Sequence, residues 1–94
     1  MQNILSKSEI EKNLKQLNGW EFLDNKIRKT FHFRSFRDAM SFLIRLSYEA
    51  EEQNHHPEIL NCYNQVEVFL NTHDANNKVT HKDFKLANLI DQVA

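Results

Sequence analysis

The chain has 94 residues, 12 of them Lys or Arg and 13 Asp or Glu, for a formal net charge of −1. That length makes one domain over residues 1–94, with no room for two. The balanced charge excludes the broad basic surface with which nucleic-acid binders neutralise phosphates, and no apolar run approaches the roughly 18 residues of a membrane span.

Cys62 is the only cysteine, so an internal disulfide is excluded. A lone thiol suits a reducing, cytoplasmic compartment. The opening stretch MQNILSKSEIEKNL has charges where a signal peptide needs an apolar core. Chains this small have modest cores and often gain stability from metals, disulfides or association. Homo-oligomerisation is therefore expected. Lys26, Arg28, Lys29, Arg34 and Arg37 form a local basic cluster, read as a solvated strand and loop edge.

Ser6 and Ser8 each stand three residues before a glutamate, Glu9 and Glu11. That is capping-box spacing, in which hydroxyl and carboxylate satisfy first-turn amides. Ile10, Leu14 and Leu17 recur at helical intervals, so a helix is predicted over Ser8 to Leu17. Gly19, the only glycine, is placed as its left-handed C-terminal residue. Trp20, Phe22 and Leu23 suggest a short strand, followed by an Asp24-Asn25 turn. Ile27, Lys29, Phe31 and Phe33 then share one face of a second strand, completing a hairpin.

Ser35 opens the longest helix, with Asp38 as its box partner. Its predicted apolar stripe is Phe36, Met40, Leu43, Ile44, Ser47 and Ala50. It should end by His56, because the residue before Pro57 is disfavoured in helical geometry. Ile59, Leu60, Cys62 and Tyr63 suggest strand three, and Asn64-Gln65 a tight turn. Val66, Val68 and Leu70 alternate with Glu67, Phe69 and Asn71 as strand four, which His73 ends. Thr80 caps the last helix with Asp83 as box partner, and Phe84, Leu86, Ala87, Ile90 and Val93 form its stripe. The order αββαββα predicts an α+β domain, a four-stranded antiparallel sheet with helices packed on one face.

The chemistry concentrates in EEQNHHPEILNCYNQVEVFLNTH, Glu51 to His73, which holds three of the five histidines. Histidine, with an unperturbed pKa of about 6.5, exchanges protons near neutrality. Glu51 and His55, four apart, would share a helix face, where the carboxylate can orient the imidazole. His56 should point elsewhere. If the fold joins the two segment ends, His73 completes an acid/base site. Other readings compete. Two histidines before a proline also suit a helix C-terminus, where an imidazolium favours the macrodipole. His32 and His81 read as surface residues, Glu52 as a solvated charge and Cys62 as packed in the sheet. Asp83 is explained by its capping box alone. No metal site is expected: adjacent helical histidines do not converge, and no Cys or HExxH pattern supports them. One glycine cannot build a phosphate-cradling loop.

Taken together, Glu51-x-x-x-His55-His56-Pro57, Tyr63-Asn64-x-Val66 and Thr72-His73 resemble pterin-4a-carbinolamine dehydratases. So do Asp83 and the tail Leu86-Ala87-x-x-Ile90-Asp91, with Gly19-Trp20 and the Phe31 to Phe36 stretch. The resemblance covers nearly the whole chain, and the family's element order agrees with the one above. It implies a dehydratase that converts 4a-hydroxytetrahydropterin, the product of aromatic amino-acid hydroxylases, to quinonoid dihydropterin, which is then recycled. No cofactor is implied, and because related proteins are dimers or tetramers the resemblance implies a homodimer or homotetramer. His55, His56 and His73 match the family's active-site histidines, and Glu51 and Asp83 its acidic residues. His55 and His73 would be the acid/base pair, Glu51 the residue orienting His55, and His56 a hydrogen-bonding contact to the pterin.

Three departures stand out. Asn54 replaces a common Asp, keeping an acceptor that does not titrate. Ile59 replaces a common aromatic. The loop Asp74 to Lys78 lacks the usual glycine and is one residue longer. Two further readings follow from the family. One is a binding module, since some relatives stabilise dimers of a homeodomain transcription factor. The other is a dehydratase-like protein acting on another pterin, as in molybdenum-cofactor metabolism.

Overall fold

A computed structural model describes residues 4–94. It has the expected α+β architecture, in the order α1 (Lys7–Leu14), β1 (Glu21–Leu23), β2 (Lys26–His32), α2 (Phe36–Gln53), β3 (Glu58–Cys62), β4 (Gln65–Leu70), a short 3-10 turn (His73–Ala75) and α3 (His81–Val93). The strands form one antiparallel sheet in the order β1-β2-β4-β3. Helices cover one face of it.

Local chemistry sets the element ends. Ser6, not Ser8, caps α1 through a full capping box with Glu9. The backbone and side-chain hydrogen bonds from Ser6 hold the Glu9 carboxyl below its ordinary pKa. The helix stops at Leu14, short of the predicted Leu17. Looser turns carry the chain on, with Leu17 N–H donating to the Leu14 carbonyl. Gly19 does adopt φ 84°, but as the pivot into β1 and not as a helix cap. Asp24 and Asn25 both have positive φ, 53° and 62°, the pattern of a tight two-residue hairpin turn. The second hairpin turns at Tyr63-Asn64, one residue earlier than predicted. Gln65 is already paired with both His32 and Cys62.

The core lies between the sheet and α2 with α3. Ile27, Val66, Val68 and Leu70 project from the strands onto Phe42, Leu46, Leu86 and Ile90. Phe42 meets the rings of Phe31 and Phe33, each at a centroid distance of 4.9 Å. The expected stripe of α2 is therefore corrected. Ala39, Phe42, Leu46 and Ala50 are the buried residues, while Phe36 and Ile44 are exposed. The helix carries apolar residues on two faces, and tertiary packing uses only one of them. Cys62 is also exposed, because β3 is a sheet edge whose five residues all face solvent.

Four of the five residues of the basic cluster form ion pairs within the fold. Lys26 pairs with Glu58, Arg28 with Glu21 and Glu67, and Arg34 with Asp38. Lys29 Nζ lies 2.8 Å from Asp91, whose other oxygen accepts from the Trp20 indole N–H at 3.0 Å. This ties the end of α3 to the sheet.

Candidate functional site

The last turn of α2 is where the site begins. Asn54 caps the helix in left-handed geometry, φ 50° and ψ 43°, and the His55 N–H bonds back to the Ala50 carbonyl at 3.0 Å. Asparagine tolerates this conformation better than residues with an apolar side chain, for which it costs about 1–2 kcal/mol. Asn54→Ala should therefore lower the unfolding free energy by about 1 kcal/mol, and Asn54→Gly should not. Urea denaturation of the three proteins checks this; equal stability of the Ala variant would remove the strain argument.

Ending α2 at Gln53 changes the pairing read from the sequence. His55 is no longer on the helix, so it does not sit over Glu51. Glu51 Oε1 instead meets His56 Nε2 at 2.8 Å, on the exposed side. His55 turns inward to 8% exposure. Its Nε2 lies 2.5 Å from Oδ1 of Asp83, which is fully buried. Asp83 thus does two things at once. Its Oδ2 accepts from the Thr80 backbone N–H as the capping box requires, at 2.9 Å, and from the Thr72 hydroxyl, also at 2.9 Å. The other oxygen is left for the imidazole.

His73 does not end β4, which stops at Leu70, but opens the 3-10 turn after Thr72. The longer loop beyond it closes with Asn76 and Asn77 both left-handed, φ 62° and 59°. Thr72 N–H donates to the Lys78 carbonyl at 2.8 Å, pinning the loop ends. His73 Nδ1 is 3.2 Å from Asn77 Oδ1.

These segments enclose a polar cavity of 330 Å³ lined by Asn54, His55, His56, Asn71, Thr72, His73, Asp74, Asn77 and Lys82. That volume suits a small heterocyclic ligand. The three candidate histidines and Asn54 share it, and Asp83 stands behind His55. Glu51 lies outside it. Glu51 lines a larger, more apolar groove of 670 Å³ between α2 and the start of β3, which touches the site only through His56. The smaller cavity is the candidate site because the three histidines converge there. Among the described residues, no three His, Cys, Asp or Glu side chains form a metal-holding group, and no helix is long and apolar enough to cross a membrane.

Sequence reading did not single out Asn71, Asn77, Lys82 or the buried hydroxyls of Thr72 and Thr80 as site residues. Thr72 stood beside His73 in the motif and Thr80 was a cap, so both positions were visible but their convergence was not.

A small α+β domain with a histidine-lined polar pocket at the junction of α2, the β4–α3 loop and α3 is a defined class of protein. The chain matches the family described as pterin 4 alpha carbinolamine dehydratase over residues 3–93. It is 46% identical over 94 residues to an Opitutus terrae protein provisionally named a pterin-4-alpha-carbinolamine dehydratase, covering 100% of this chain and 97% of that one. A Christiangramia forsetii protein with the same provisional name is 43% identical, with 99% and 95% covered. A crystal structure from Brucella melitensis, described as a transcriptional coactivator/pterin dehydratase, superposes with a TM-score of 0.93 at 38% identity, covering 98% of this chain and 99% of that one. A pterin dehydratase-like RuBisCO assembly factor of the alpha-carboxysome shares the fold, with a TM-score of 0.66 at 22% identity over 80% of this chain and 86% of that one. This chain belongs to the pterin-4a-carbinolamine dehydratase family.

Proposed function

We propose that the protein catalyses loss of water from 4a-hydroxytetrahydropterin to give quinonoid dihydropterin. The observation that carries this reading is that His55, backed by Asp83, shares one cavity with His73. The substrate bears a hydroxyl and an amine on one carbon. As the amine lone pair forms the C=N bond, the C–O bond breaks and an acid protonates the leaving oxygen. Water departs, and a base takes the ring N–H proton. His55 and His73 are the acid/base pair in this reading, and such proton transfer contributes about 10²–10⁴-fold. Asp83 orients His55, which replaces the Glu51 role read from the sequence. Glu51 holds His56, and His56 with Asn54 contacts the pterin.

The test is the dehydration of freshly generated 4a-hydroxytetrahydropterin, followed by absorbance with the native and the heat-unfolded protein. Acceleration by the folded protein alone supports the reading. No acceleration by a folded sample overturns it.

The protein works, in this reading, as a cytoplasmic homo-oligomer. Ile44 and Tyr48 stand 61% and 73% exposed on the outer face of α2, and Leu60 and Tyr63 are exposed at the β3 edge. A monomer rarely leaves so large an apolar surface open. Introducing Ile44→Glu with Tyr48→Glu should lower the mass measured by light scattering and leave the far-ultraviolet circular dichroism unchanged. A native protein that is monomeric at micromolar concentration would remove the oligomer proposal.

A further inference from the structure

The His55–Asp83 pair ends a chain of buried hydroxyls whose direction follows from hydrogen-bond supply. Thr80 Oγ1 accepts from the Lys82 backbone N–H at 3.2 Å. Its own hydrogen has one buried partner, Thr72 Oγ1, at 2.7 Å. Thr72 then donates to Asp83 Oδ2 at 2.9 Å. The reverse direction would leave the Thr80 hydroxyl hydrogen without an acceptor and take a donor from the carboxylate. Both threonines are 2% exposed, so water does not compete. As a carboxylate, Asp83 only accepts. With Oδ2 held by Thr72 and by the Thr80 backbone N–H, Oδ1 faces His55 Nε2.

One consequence is a fixed tautomer. Nε2 must carry hydrogen whether the ring is neutral or charged. The nitrogen that gains and loses a proton is then Nδ1. Among the described residues, every buried side-chain nitrogen and oxygen has a partner. Nδ1 has no hydrogen bond among them, so it is open to the cavity that His55 lines.

We infer that Thr72, supported by Thr80, is a positioning residue of the site. It locks the Asp83 carboxylate so that His55 presents Nδ1 as its proton-exchanging atom. The inference rests on the dehydratase reading only for its effect on rate, since the tautomer is a property of the ligand-free protein.

The experiment compares the native protein with Thr72→Val, which keeps the shape and loses the hydroxyl, and Thr72→Ser, which restores it. Histidine ring 15N spectra report the tautomer, and absorbance reports dehydration. The expected native spectrum has neutral His55 protonated at Nε2 and bare at Nδ1. Thr72→Val should show both tautomers and a kcat lower by about tenfold or more, with KM within about twofold, since a wrong tautomer is costly to proton transfer. Thr72→Ser should recover both readouts. A native ring protonated at Nδ1 overturns the proposal with no variant needed. So does a folded Thr72→Val protein with the native tautomer and kcat. A native protein without dehydration activity would sink the dehydratase reading, and the spectra would still decide the tautomer.

Discussion

On the proposed mechanism, His55→Gln slows dehydration by about 10²–10⁴-fold while the domain stays folded. In barrier terms this is about 3–5.5 kcal/mol. Glutamine is chosen because its amide N–H can still donate to Asp83, so the buried carboxylate keeps a partner. It does not titrate near neutrality, so the proton transfer is lost. His73→Ala should fall in the same range with little change in stability, because His73 is exposed. His56→Ala should act mainly on KM, since that ring is read as a contact to the pterin. Steady-state rates of the three variants, with thermal melts as controls, test this set. If His55→Gln and His73→Ala both stay within about threefold of the native rate, imidazole acid/base catalysis is not the mechanism.

Asp83→Ala should be the most destabilising polar substitution in the protein, by about 3–5 kcal/mol. Three buried donors converge on this carboxylate: the His55 ring, the Thr72 hydroxyl and the Thr80 backbone N–H. Removing it strips each of its acceptor, and a buried donor left unpaired costs about 1–3 kcal/mol. It also breaks the capping box that starts α3. Domains of this size have a total stability of only about 5–15 kcal/mol, so the melting temperature should fall by roughly 12–40 °C. Asp83→Asn retains one oxygen and should lose less. Differential scanning calorimetry gives the answer, and a loss below about 1 kcal/mol for the Ala variant would mean the carboxylate does not hold this corner together.

Most of the fold was legible from local rules. Alternation at Val66, Val68 and Leu70 identified β4, and the capping residues Ser35 and Thr80 located two helix starts. The Asp24-Asn25 hairpin followed from turn chemistry. The misreadings were of another kind. On α2, apolar residues occur on two faces, and periodicity does not say which face meets the sheet. A stripe through Ile44 fits the helical spacing, but the core uses Ala39, Phe42 and Leu46. Cys62 looked like a core residue because β3 is apolar, and only the strand order makes β3 an edge.

The site divides the same way. The candidate residues were legible by type: the imidazoles of His55, His56 and His73, the amide of Asn54, and the carboxylates of Asp83 and Glu51. Their partners were not. Helical spacing assigned Glu51 to His55, because a continuous helix puts residues four apart together. A single left-handed residue, Asn54, ends that helix and exchanges the partners, giving His56 to Glu51 and His55 to Asp83. Sequence by itself determined which side chains can titrate, cap and turn, since these are properties of residues and their near neighbours. The tertiary structure decided which carboxylate meets which imidazole, because Asp83 lies 28 positions from His55 and only packing α3 against the end of α2 brings them to one corner.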